Sequence, residues 1–430
     1  MKVCTTLLLC LVLPACVSLK QYNIEPNHNE VIETLEHFLA NNKNSIDDPA
    51  YYDAYFQDNE NYTLHLSEPL WLIPSEILPE DLMLLNSNNN ISIQIFNHRL
   101  YVAFRTSKTH FASGCTVLQV ISTHNGKTWK TELVIAEGND AREPFLIEIN
   151  DSLRFYFFEA GNSPVAFEPK KIKMYAKGKE GDWTKPIEVL QKGEVHWSMK
   201  NRMNTTFLTS YLGAHYQLKG NATVQLNFRN TNNGINWLPV GATATVYTGG
   251  ISETDFEFDK QGNLWAIGRQ EDGDQTGFGS MLFYADKNNL GIWQHDNKSN
   301  PVAYMSPKLF RHNNDIFLIA RRQLGKKTFG HANPKWSMKW QRIFNWTRYS
   351  LSPKTTTIFR LNKTTKSFEP VTDMPGAGDT AFPSIIRLNK DQFLVANYTS
   401  PPHKSRFTWL RGQLSKTMIY LQVITFKKVS

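Results

Sequence analysis

Cysteine is scarce in this sequence. Four cysteines occur in 430 residues and three of them lie in the first 16 positions, so only Cys115 belongs to the body of the chain. This scarcity excludes an intrachain disulfide framework, and a large apolar core must hold the fold together instead. Hydrophobic residues make up 41% of the chain, which is enough for such a core.

The apolar run near the start, Leu7 to Leu13, is too short to cross a bilayer. Together with the basic residue before it and the small residues after it, this run predicts a secretory signal over residues 1–18. Two processing routes stay open: cleavage after Ser18, or cleavage before Cys16, because Leu13-Pro14-Ala15-Cys16 resembles a bacterial lipobox. The protein is therefore expected to be secreted, or tethered to the cell surface or outer membrane by a lipid anchor as a lipoprotein.

Several cofactor motifs are missing as well. The sequence has no phosphate-cradling glycine loop, no Rossmann fingerprint and no nucleophile elbow. Its histidines lack the short spacing of metal ligands, and EDGDQTG, from Glu271, lacks the Glu that ends an EF-hand loop. No metal, cofactor or nucleic acid is expected.

Charge is distributed unevenly. Residues 21–60 carry a net charge of −8, whereas the chain as a whole carries +8. A basic body favours anionic partners. In an insertion from Lys326 to Tyr349, Lys and Arg alternate with Trp, and we interpret this segment as an exposed insertion in the fifth unit.

Asparagine is abundant and often lies in glycosylation sequons. The nine sequons predict a secreted glycoprotein of a eukaryote, whereas the lipobox predicts a bacterial lipoprotein, and both readings stay open. The sequon asparagines are Asn61, Asn90, Asn150, Asn204, Asn221, Asn297, Asn345, Asn362 and Asn397.

One unit recurs six times along the chain: a short apolar run, a polar turn and a second apolar run. The turns centre near residues 97, 150, 204, 262, 313 and 389, which are 53, 54, 58, 51 and 76 residues apart. Repetition at this period predicts units that stack along or around an axis. Further strand candidates between the paired runs raise the content to about four strands a unit, which is one propeller blade.

The sequence therefore predicts an all-β fold, a six-bladed β-propeller over residues 61–430, as a single monomeric domain. The last unit has one clear outer strand, so a strand from residues 62–85 is expected to complete it. Residues 19–60 are acidic and polar, and they are expected to form a leader or linker, with one helix near Val31 to Ala40 and a capping segment.

Propeller geometry predicts which polar residues meet. The first strand of each blade starts beside the axis and the second returns to the same end, so side chains at those two ends converge on a central pocket. The candidates are Arg105, His110, Arg142, Glu143, Glu159, His196, Tyr211, His215, Glu253, Asp255, Arg269, Glu271, Asp272, Tyr304, Arg321, Arg322, Asp379 and Tyr398. Arginines facing carboxylates suit an anionic or polyhydroxylated ligand.

Two hairpins carry a family resemblance. Ser122 to Trp129, STHNGKTW, fits the Asp-box (BNR-repeat) pattern S-x-D-x-G-x-T-W, with His124 at the Asp position. Asn230 to Trp237, NTNNGINW, is a weaker copy with Asn232 there. Together with the sixfold repeat, these hairpins make residues 90–426 resemble the sialidase-like six-bladed propellers.

The resemblance implies roles for two residues. Sialidases have an Asn-Glu step that opens an inner strand and an Arg that ends the next one, and Glu253 and Arg269 stand at those places. Glu253 would then polarise a Tyr nucleophile, and Arg269 would bind a sialic acid carboxylate. The chain departs from the family at two points. Residues 91–95 contain no counterpart of the arginine in the family's Phe-Arg-Ile-Pro (FRIP) motif, and Asp379 lies near the position where the family has its Tyr nucleophile.

The function expected from these residues is a divergent, sialidase-like exo-glycosidase that acts on an anionic glycan. Glu253 and Asp255 form the expected acid and base pair, since glycoside hydrolysis needs two carboxyl groups beside the bond. The residues expected to hold the sugar are Arg105, His110, Arg142, Arg269, Arg321, Tyr211 and His215.

Two alternatives stay open. Arg142-Glu143-Pro144 resembles the Arg-Asp-Pro step of the five-bladed furanosidases, which would make Glu143, Glu253 and Asp255 or Asp379 the catalytic carboxylates. The other alternative is a non-catalytic propeller that binds carbohydrate or protein.

Overall fold

The computed structural model describes six ranges of the chain. They are residues 29–57, 60–111, 114–163, 167–217, 223–325 and 330–429. The predicted signal segment, Cys16 and the sequon at Asn221 lie outside these ranges. Six small antiparallel sheets form a ring, so the protein is a six-bladed β-propeller, as its sequence predicts.

The first three complete blades follow the chain from residue 87 to residue 249. Blade 1 contains the strands β3 (Ser87–Phe96), β4 (Arg99–Ser107), β5 (Val117–Thr123) and β6 (Lys130–Ile135). Blade 2 contains β7 (Asp140–Ile149), β8 (Ser152–Ala160), β9 (Pro169–Lys177) and β10 (Ile187–Val189). Blade 3 contains β11 (Val195–Arg202), β12 (Thr205–Gly213), β13 (Val224–Thr231), β14 (Leu238–Pro239) and β15 (Thr245–Gly249).

The next two blades continue this order, and the last one takes strands from both ends of the chain. Blade 4 contains β16 (Thr254–Phe258), β17 (Leu264–Asp274), β18 (Gly277–Ala285) and β19 (Gln294–His295). Blade 5 contains β20 (Met305–His312), β21 (Asp315–Gln323), β22 (Lys354–Asn362) and β23 (Ser367–Met374). Blade 6 contains β24 (Ser384–Arg387), β25 (Gln392–Thr399), β26 (Met418–Lys428), β1 (Tyr62–Leu66) and β2 (Leu70–Ile73).

An N-terminal strand closes the ring, as expected. β1 pairs antiparallel with β26, with Tyr62 opposite Lys428, and β2 pairs with the same strand, with Leu70 opposite Leu421. Because this pairing joins the two ends of the described chain through backbone hydrogen bonds, blade 6 holds the ring together.

The inner hairpins turn through left-handed residues. The φ angles are 48° and 60° at Asn97 and His98, and 51° and 55° at Asn150 and Asp151. Two-residue turns with both central φ angles positive match the twist of the strands they join, and Asn tolerates this conformation. This explains why asparagine marks the predicted turns.

In the described ranges, three α-helices accompany the strands: α1 (Glu30–Asn41), α2 (Met338–Ser350) and α3 (Trp409–Gln413). The side chain of Asn29 accepts from the Val31 amide and caps α1. The apolar face of α1, including Leu35, packs into the same buried cluster as β3 and β26. α1 is therefore attached to the ring and is not part of a free linker. Among the described residues, no helix is long and apolar enough to span a membrane.

We call the end of the ring with the inner hairpins the lower face and the opposite end the upper face. The segment that follows α1 lies across the lower face. Asp47 accepts from the Arg387 amide at 3.0 Å, Asp48 accepts from the Met203 amide at 2.9 Å, and Asp53 binds Arg311 at 2.7 Å. Because these partners lie on blades 6, 3 and 5, the acidic segment covers the lower end of the channel.

Candidate functional site

The upper face collects charged side chains from five of the six blades. They lie where β7 and β16 begin, towards the ends of β4, β17 and β21, and just before β24. The central members are Arg105, Asp140, Arg142, Glu143, Glu253, Arg269, Glu271, Arg321 and Asp379.

Asp140 joins two arginines. Arg105 is 0% exposed and binds Oδ1 of Asp140 at 2.8 Å, and Nε of Arg142 donates to Oδ2. Burial opposes ionisation of Asp140, but the charges of Arg142 and Arg105 outweigh it and lower its pKa. Arg105 also donates to Ser107 and Thr116, so its guanidinium is held inside the protein. Arg142 lies at the rim, with 15% of its side chain exposed.

Arg269 lies between two glutamates. Its guanidinium forms ion pairs with Glu253 and Glu271, and it donates to the Tyr216 hydroxyl at 2.9 Å. Burial disfavours its charge, but Glu253 and Glu271 together raise its pKa well above the ordinary value. The other carboxylate oxygen of Glu253 accepts from the Ser306 amide at 3.1 Å. The Glu253 carboxylate is thus fixed in one orientation.

A third network surrounds Asp379. The Tyr398 hydroxyl donates to Oδ1 of Asp379 at 2.9 Å, His110 contacts Oδ2 at 2.7 Å, and Arg321 lies 3.7 Å from Oδ1. Arg321 also donates to the Tyr349 hydroxyl at 3.1 Å. Burial, reinforced by the charge of Asp379, raises the pKa of Tyr398 well above its ordinary value. Tyr398 is therefore a neutral hydrogen-bond donor.

Glu143 differs from the other carboxyls of the upper face. Its side chain is partly exposed, and its Oε2 accepts from the side-chain amide of Asn90 at 2.9 Å. Burial, followed by the charge of Glu253, raises the pKa of Glu143 to about 8. Its backbone has a φ of 53°, at a bulge in β7. A glutamate with a left-handed backbone conformation is strained, and strained residues of this kind are concentrated at functional sites.

Asp255 is separate from this cluster, contrary to the sequence expectation. It is fully buried, and its oxygens accept from the Ser198 hydroxyl and from the Leu309 amide, with Lys200 at 3.7 Å. Two residues along a strand span about 6–7 Å, so Asp255 faces the axis but lies deeper than Glu253. Asp255 therefore joins blades 3, 4 and 5 inside the channel.

The channel is closed below the cluster. The rings of Trp197, from blade 3, and Phe382, which precedes β24, lie with centroids 5.1 Å apart across the axis. Beneath them a polar cavity is lined by residues that include Ser92, Lys308 and Arg387. The ring pair thus lies between the upper-face cluster and this cavity.

His215 and Tyr211 form an aromatic side wall. His215 binds Asp272 at 2.5 Å, and both rings pack against Phe167. His196 donates to the Glu143 carbonyl at 2.7 Å, and burial lowers its pKa to about 4, so it is neutral. Within the described ranges, no group of three or more His, Cys, Asp or Glu side chains is arranged to hold a metal ion.

Three other candidates lie off the cluster. Glu159 pairs with Lys173, Arg322 pairs with Asp373 on the exposed side of blade 5, and Tyr304 packs in the core of that blade.

The sequence analysis missed four members of the site. Asp140 opens β7, Tyr216 follows His215, Tyr349 comes from α2, and Asn90 occupies the bulge in β3 that corresponds to Glu143 in β7. Asn90 and Glu143 are 53 residues apart, which is the repeat spacing, so aligning the units would have paired them. No comparable signal exists for Tyr349, because it lies in the insertion.

Comparisons with known proteins agree with this architecture. No protein-family model and no curated sequence matches the chain. A protein of unknown function from Dyadobacter fermentans superposes with a TM-score of 0.55 at 12% identity, over 85% of this chain and 99% of its own. A Trypanosoma rangeli sialidase mutant that displays trans-sialidase activity superposes with a TM-score of 0.54 at 11% identity, over 84% of this chain.

The likeness shows the fold. This chain spans 58% of the length of that sialidase mutant, and 59% of the same organism's sialidase in complex with the inhibitor DANA, which superposes with a TM-score of 0.53 at 11% identity. The ring of six blades is shared with these sialidases, and the chemistry of the upper face must be argued from its own residues.

Proposed function

We propose that the upper face acts on glycans and that Glu143 and Glu253 form the carboxyl pair of a glycoside hydrolase. The observation that carries this proposal is the state of Glu143. Glu143 is partly exposed and coupled to the charge of Glu253, with a pKa raised to about 8. A carboxyl that keeps its proton near neutral pH can serve as the general acid of glycoside hydrolysis.

The two carboxyls take different roles. Glu143 protonates the leaving oxygen of the glycosidic bond. Glu253, fixed by Arg269 and by the Ser306 amide, faces the positive charge that develops on the sugar, as a nucleophile or through a water molecule. All four expected anion-binding arginines are bound by the protein's own groups, and Arg142 itself is held by Asp140 and by the His110 carbonyl. Arg142 is nevertheless the one at the rim, with 15% of its side chain exposed, so it is the arginine that we expect to contact an anionic substituent of the sugar.

The test is a hydrolysis screen of the purified protein on sialosides and neutral glycosides. Glu143→Gln keeps the size of the side chain and an acceptor for Asn90, but it cannot donate a proton. We expect it to lose roughly 10²–10⁴-fold in kcat on glycosides with poor leaving groups. The loss should be much smaller on activated aryl glycosides, whose leaving groups need no proton. Glu188→Gln, in an exposed pair with Lys171, is the matched control and should retain full activity. Equal activity of Glu143→Gln and wild type on both substrate types would remove the assignment.

A second candidate function is glycan or protein binding without hydrolysis. It is favoured by one observation: the arginines of the upper face are paired with the protein's own carboxylates, Arg105 with Asp140 and Arg269 with Glu253. If wild type hydrolyses no glycoside but binds one on a glycan array, and Arg142→Ala loses that binding, this candidate replaces the first.

A further inference from the structure

Helix α2 buries polar side chains and exposes apolar ones. Its buried residues, Gln341, Arg342, Asn345 and Tyr349, are all polar or aromatic with a hydroxyl. Arg342 and Tyr349 face the ring: Arg342 donates to the Asp272 carbonyl at 2.7 Å, and the Tyr349 hydroxyl accepts from Arg321 at 3.1 Å. Gln341 and Asn345 instead bind the chain before the helix, through the Trp336 and His331 carbonyls. A surface helix normally buries its apolar stripe, so here the usual arrangement is reversed.

The outer face of α2 is correspondingly apolar. We define this outer face as Trp336, Trp340, Phe344 and Leu351, which are 41%, 60%, 37% and 59% exposed. Trp340 and Phe344 are four residues apart and share one side of α2. Trp336 precedes the helix, with its ring centroid 5.4 Å from that of Phe344, and Leu351 is the residue at which the helix ends. Scattered exposed apolar residues are ordinary, but a group of three aromatic rings and a leucine at one helix marks a contact surface.

The segment that carries the outer face has charges of one sign. No Asp or Glu lies between Asp315 and Glu369 in the sequence. Lys335 and Lys339 are exposed beside the tryptophans, and the guanidinium of Arg348 lies 5.9 Å from the Phe344 ring centroid. An occupant of this face must therefore offer both an apolar layer and negative charge.

The basic surface continues onto α3. The rings of Tyr349 and Trp409 are 5.2 Å apart, and the Trp409 amide donates to the Ser352 carbonyl at 3.1 Å, so the two helices adjoin. Around α3, Leu414 is 52% exposed, and no acidic residue follows Asp391 in the sequence. The exposed or partly exposed bases there are His403, Lys404, Arg406, Arg411 and Lys416.

We propose that the outer face of α2 docks onto the surface of an anionic lipid bilayer. Helices of this kind lie in the plane of the interface, with aromatic and aliphatic residues about 5–10 Å into the headgroup region and Lys or Arg facing the phosphates. A neutral glycan fits less well, because sugar hydroxyls are bound by carboxylates and this segment has none. Leu351 and Leu414 suit acyl chains and have no role in stacking on sugars.

Docking would also orient the protein. The Trp346 indole donates to the Glu271 carbonyl at 3.2 Å, and Arg342 binds the Asp272 carbonyl, so α2 is a wall of the upper face. With the outer face of α2 in the headgroup layer, the upper face lies beside the membrane. This inference stands on the helix alone and does not depend on hydrolysis.

The test is co-sedimentation with vesicles of phosphatidylcholine, with or without 30 mol% phosphatidylglycerol, in 150 mM NaCl. Wild type should bind the anionic vesicles at least about tenfold more tightly, because each Lys or Arg near an anionic surface adds about fivefold. The double variant Trp340→Ala with Phe344→Ala should lose about tenfold or more of this binding. The double variant Lys335→Glu with Lys339→Glu should lose at least as much on anionic vesicles.

Matched controls change equally exposed residues elsewhere. Ile292→Ala with Leu238→Ala removes apolar side chains that are 64% and 62% exposed, and Lys287→Glu with Lys298→Glu reverses two exposed charges; both should bind within twofold of wild type. If a variant misfolds, quenching of wild-type Trp fluorescence by brominated lipid decides, since Trp340 must enter the headgroup layer.

Three results would overturn the proposal. The first is wild-type binding to anionic vesicles that neither α2 double variant changes. The second is no binding and no quenching at all. The third is a dimer, seen by light scattering, that the Trp340→Ala and Phe344→Ala changes dissociate, because a second copy would then cover the outer face.

Discussion

The side-chain amide of Asn90 donates a 2.9 Å hydrogen bond to Oε2 of Glu143. The two residues occupy equivalent bulges on neighbouring blades, and both have left-handed backbones, with φ of 48° and 53°. Asn90 carries no charge, so it orients the carboxyl without the strong stabilisation of the ionised form that a direct arginine partner would provide. Glu143 is thus the member of the cluster that keeps its proton most readily.

The raised pKa of Glu143 predicts how stability depends on pH. The pKa is about 8 in the folded state against an ordinary value of 4.5, so the folded protein binds this proton more tightly than the unfolded chain does. The free energy of unfolding should therefore decline as pH rises from about 4.5 to about 8, by on the order of 2–4 kcal/mol from this group.

Urea unfolding of wild type and Glu143→Gln at pH 5.5 and pH 8.5 measures this decline. The variant cannot ionise, so it should gain stability relative to wild type on going to pH 8.5. Glu188→Gln, at an exposed site, should show no such change. If the free energies of unfolding of wild type and Glu143→Gln differed by the same amount at both pH values, the raised pKa of Glu143 would be contradicted.

A second prediction concerns Asp140. Asp140→Asn leaves the buried Arg105 and the neighbouring Arg142 without their shared charge, and should lower the free energy of unfolding by about 3–5 kcal/mol. Asp373→Asn breaks an exposed pair with Arg322 and should cost at most about 1 kcal/mol. If the two variants lost similar amounts of free energy of unfolding in urea at pH 7, the buried ion pairs of Asp140 would contribute no more to stability than the exposed pair.

The sequence predicts the ring well because the hairpins are local. Asparagine turns such as Asn97 and Asn150 recur at the blade spacing, and each one joins two strands that are adjacent in the chain. Closure by β1 was also predictable, because the last unit lacks an outer strand.

The candidate site was predictable only in outline. Its members stand at the expected strand ends, but their partners depend on depth and on neighbouring blades. Asp255 faces the axis like Glu253 and still lies below the upper face, where Ser198 and Leu309 bind it. The inverted face of α2 was hidden for the same reason: composition showed Trp beside Lys and Arg, but only the packing shows which side is buried.

The two Asp-box-like hairpins show how a pattern can match in outline and differ in detail. Alignment places His124 at the Asp position, yet the turn is held by its neighbour. Oδ1 of Asn125 accepts from the Lys127 and Thr128 amides, each at 2.9 Å, while His124 is exposed. Asn233 makes the same two bonds in the second hairpin.

This geometry gives a third prediction. Asn125→Ala should lower the free energy of unfolding by about 1–2 kcal/mol, because two turn amides lose their acceptor. His124→Ala should stay within about 0.5 kcal/mol of wild type. The pair Asn233→Ala and Asn232→Ala repeats the comparison in blade 3. If thermal or urea unfolding showed a larger loss of stability for His124→Ala than for Asn125→Ala, His124 and not Asn125 would be the residue that holds the turn.

The last prediction concerns the sequons. Asn90, Asn345 and Asn397 are buried, at 2%, 0% and 0% exposure, and their side chains donate to Glu143, to carbonyls near α2 and to Tyr420. Glycans are added to the chain before folding is complete, and a glycan at a buried position would prevent these contacts from forming. Expression through a eukaryotic secretory pathway should therefore yield folded protein without glycans at these three positions.

Among the described residues, the exposed sequon asparagines are Asn61, Asn150, Asn204 and Asn297, and Asn362 is partly exposed. Of the described sequons, folded, secreted protein should carry glycans at these five and not at the buried three, because a branched sugar can extend from them into solvent without displacing a core contact. Enzymatic deglycosylation in ¹⁸O-water followed by peptide mass spectrometry marks each occupied asparagine with a mass shift. Substantial occupancy of Asn397 in active, monodisperse protein would contradict the prediction, since that side chain lies inside blade 6 and binds the Tyr420 hydroxyl at 2.9 Å.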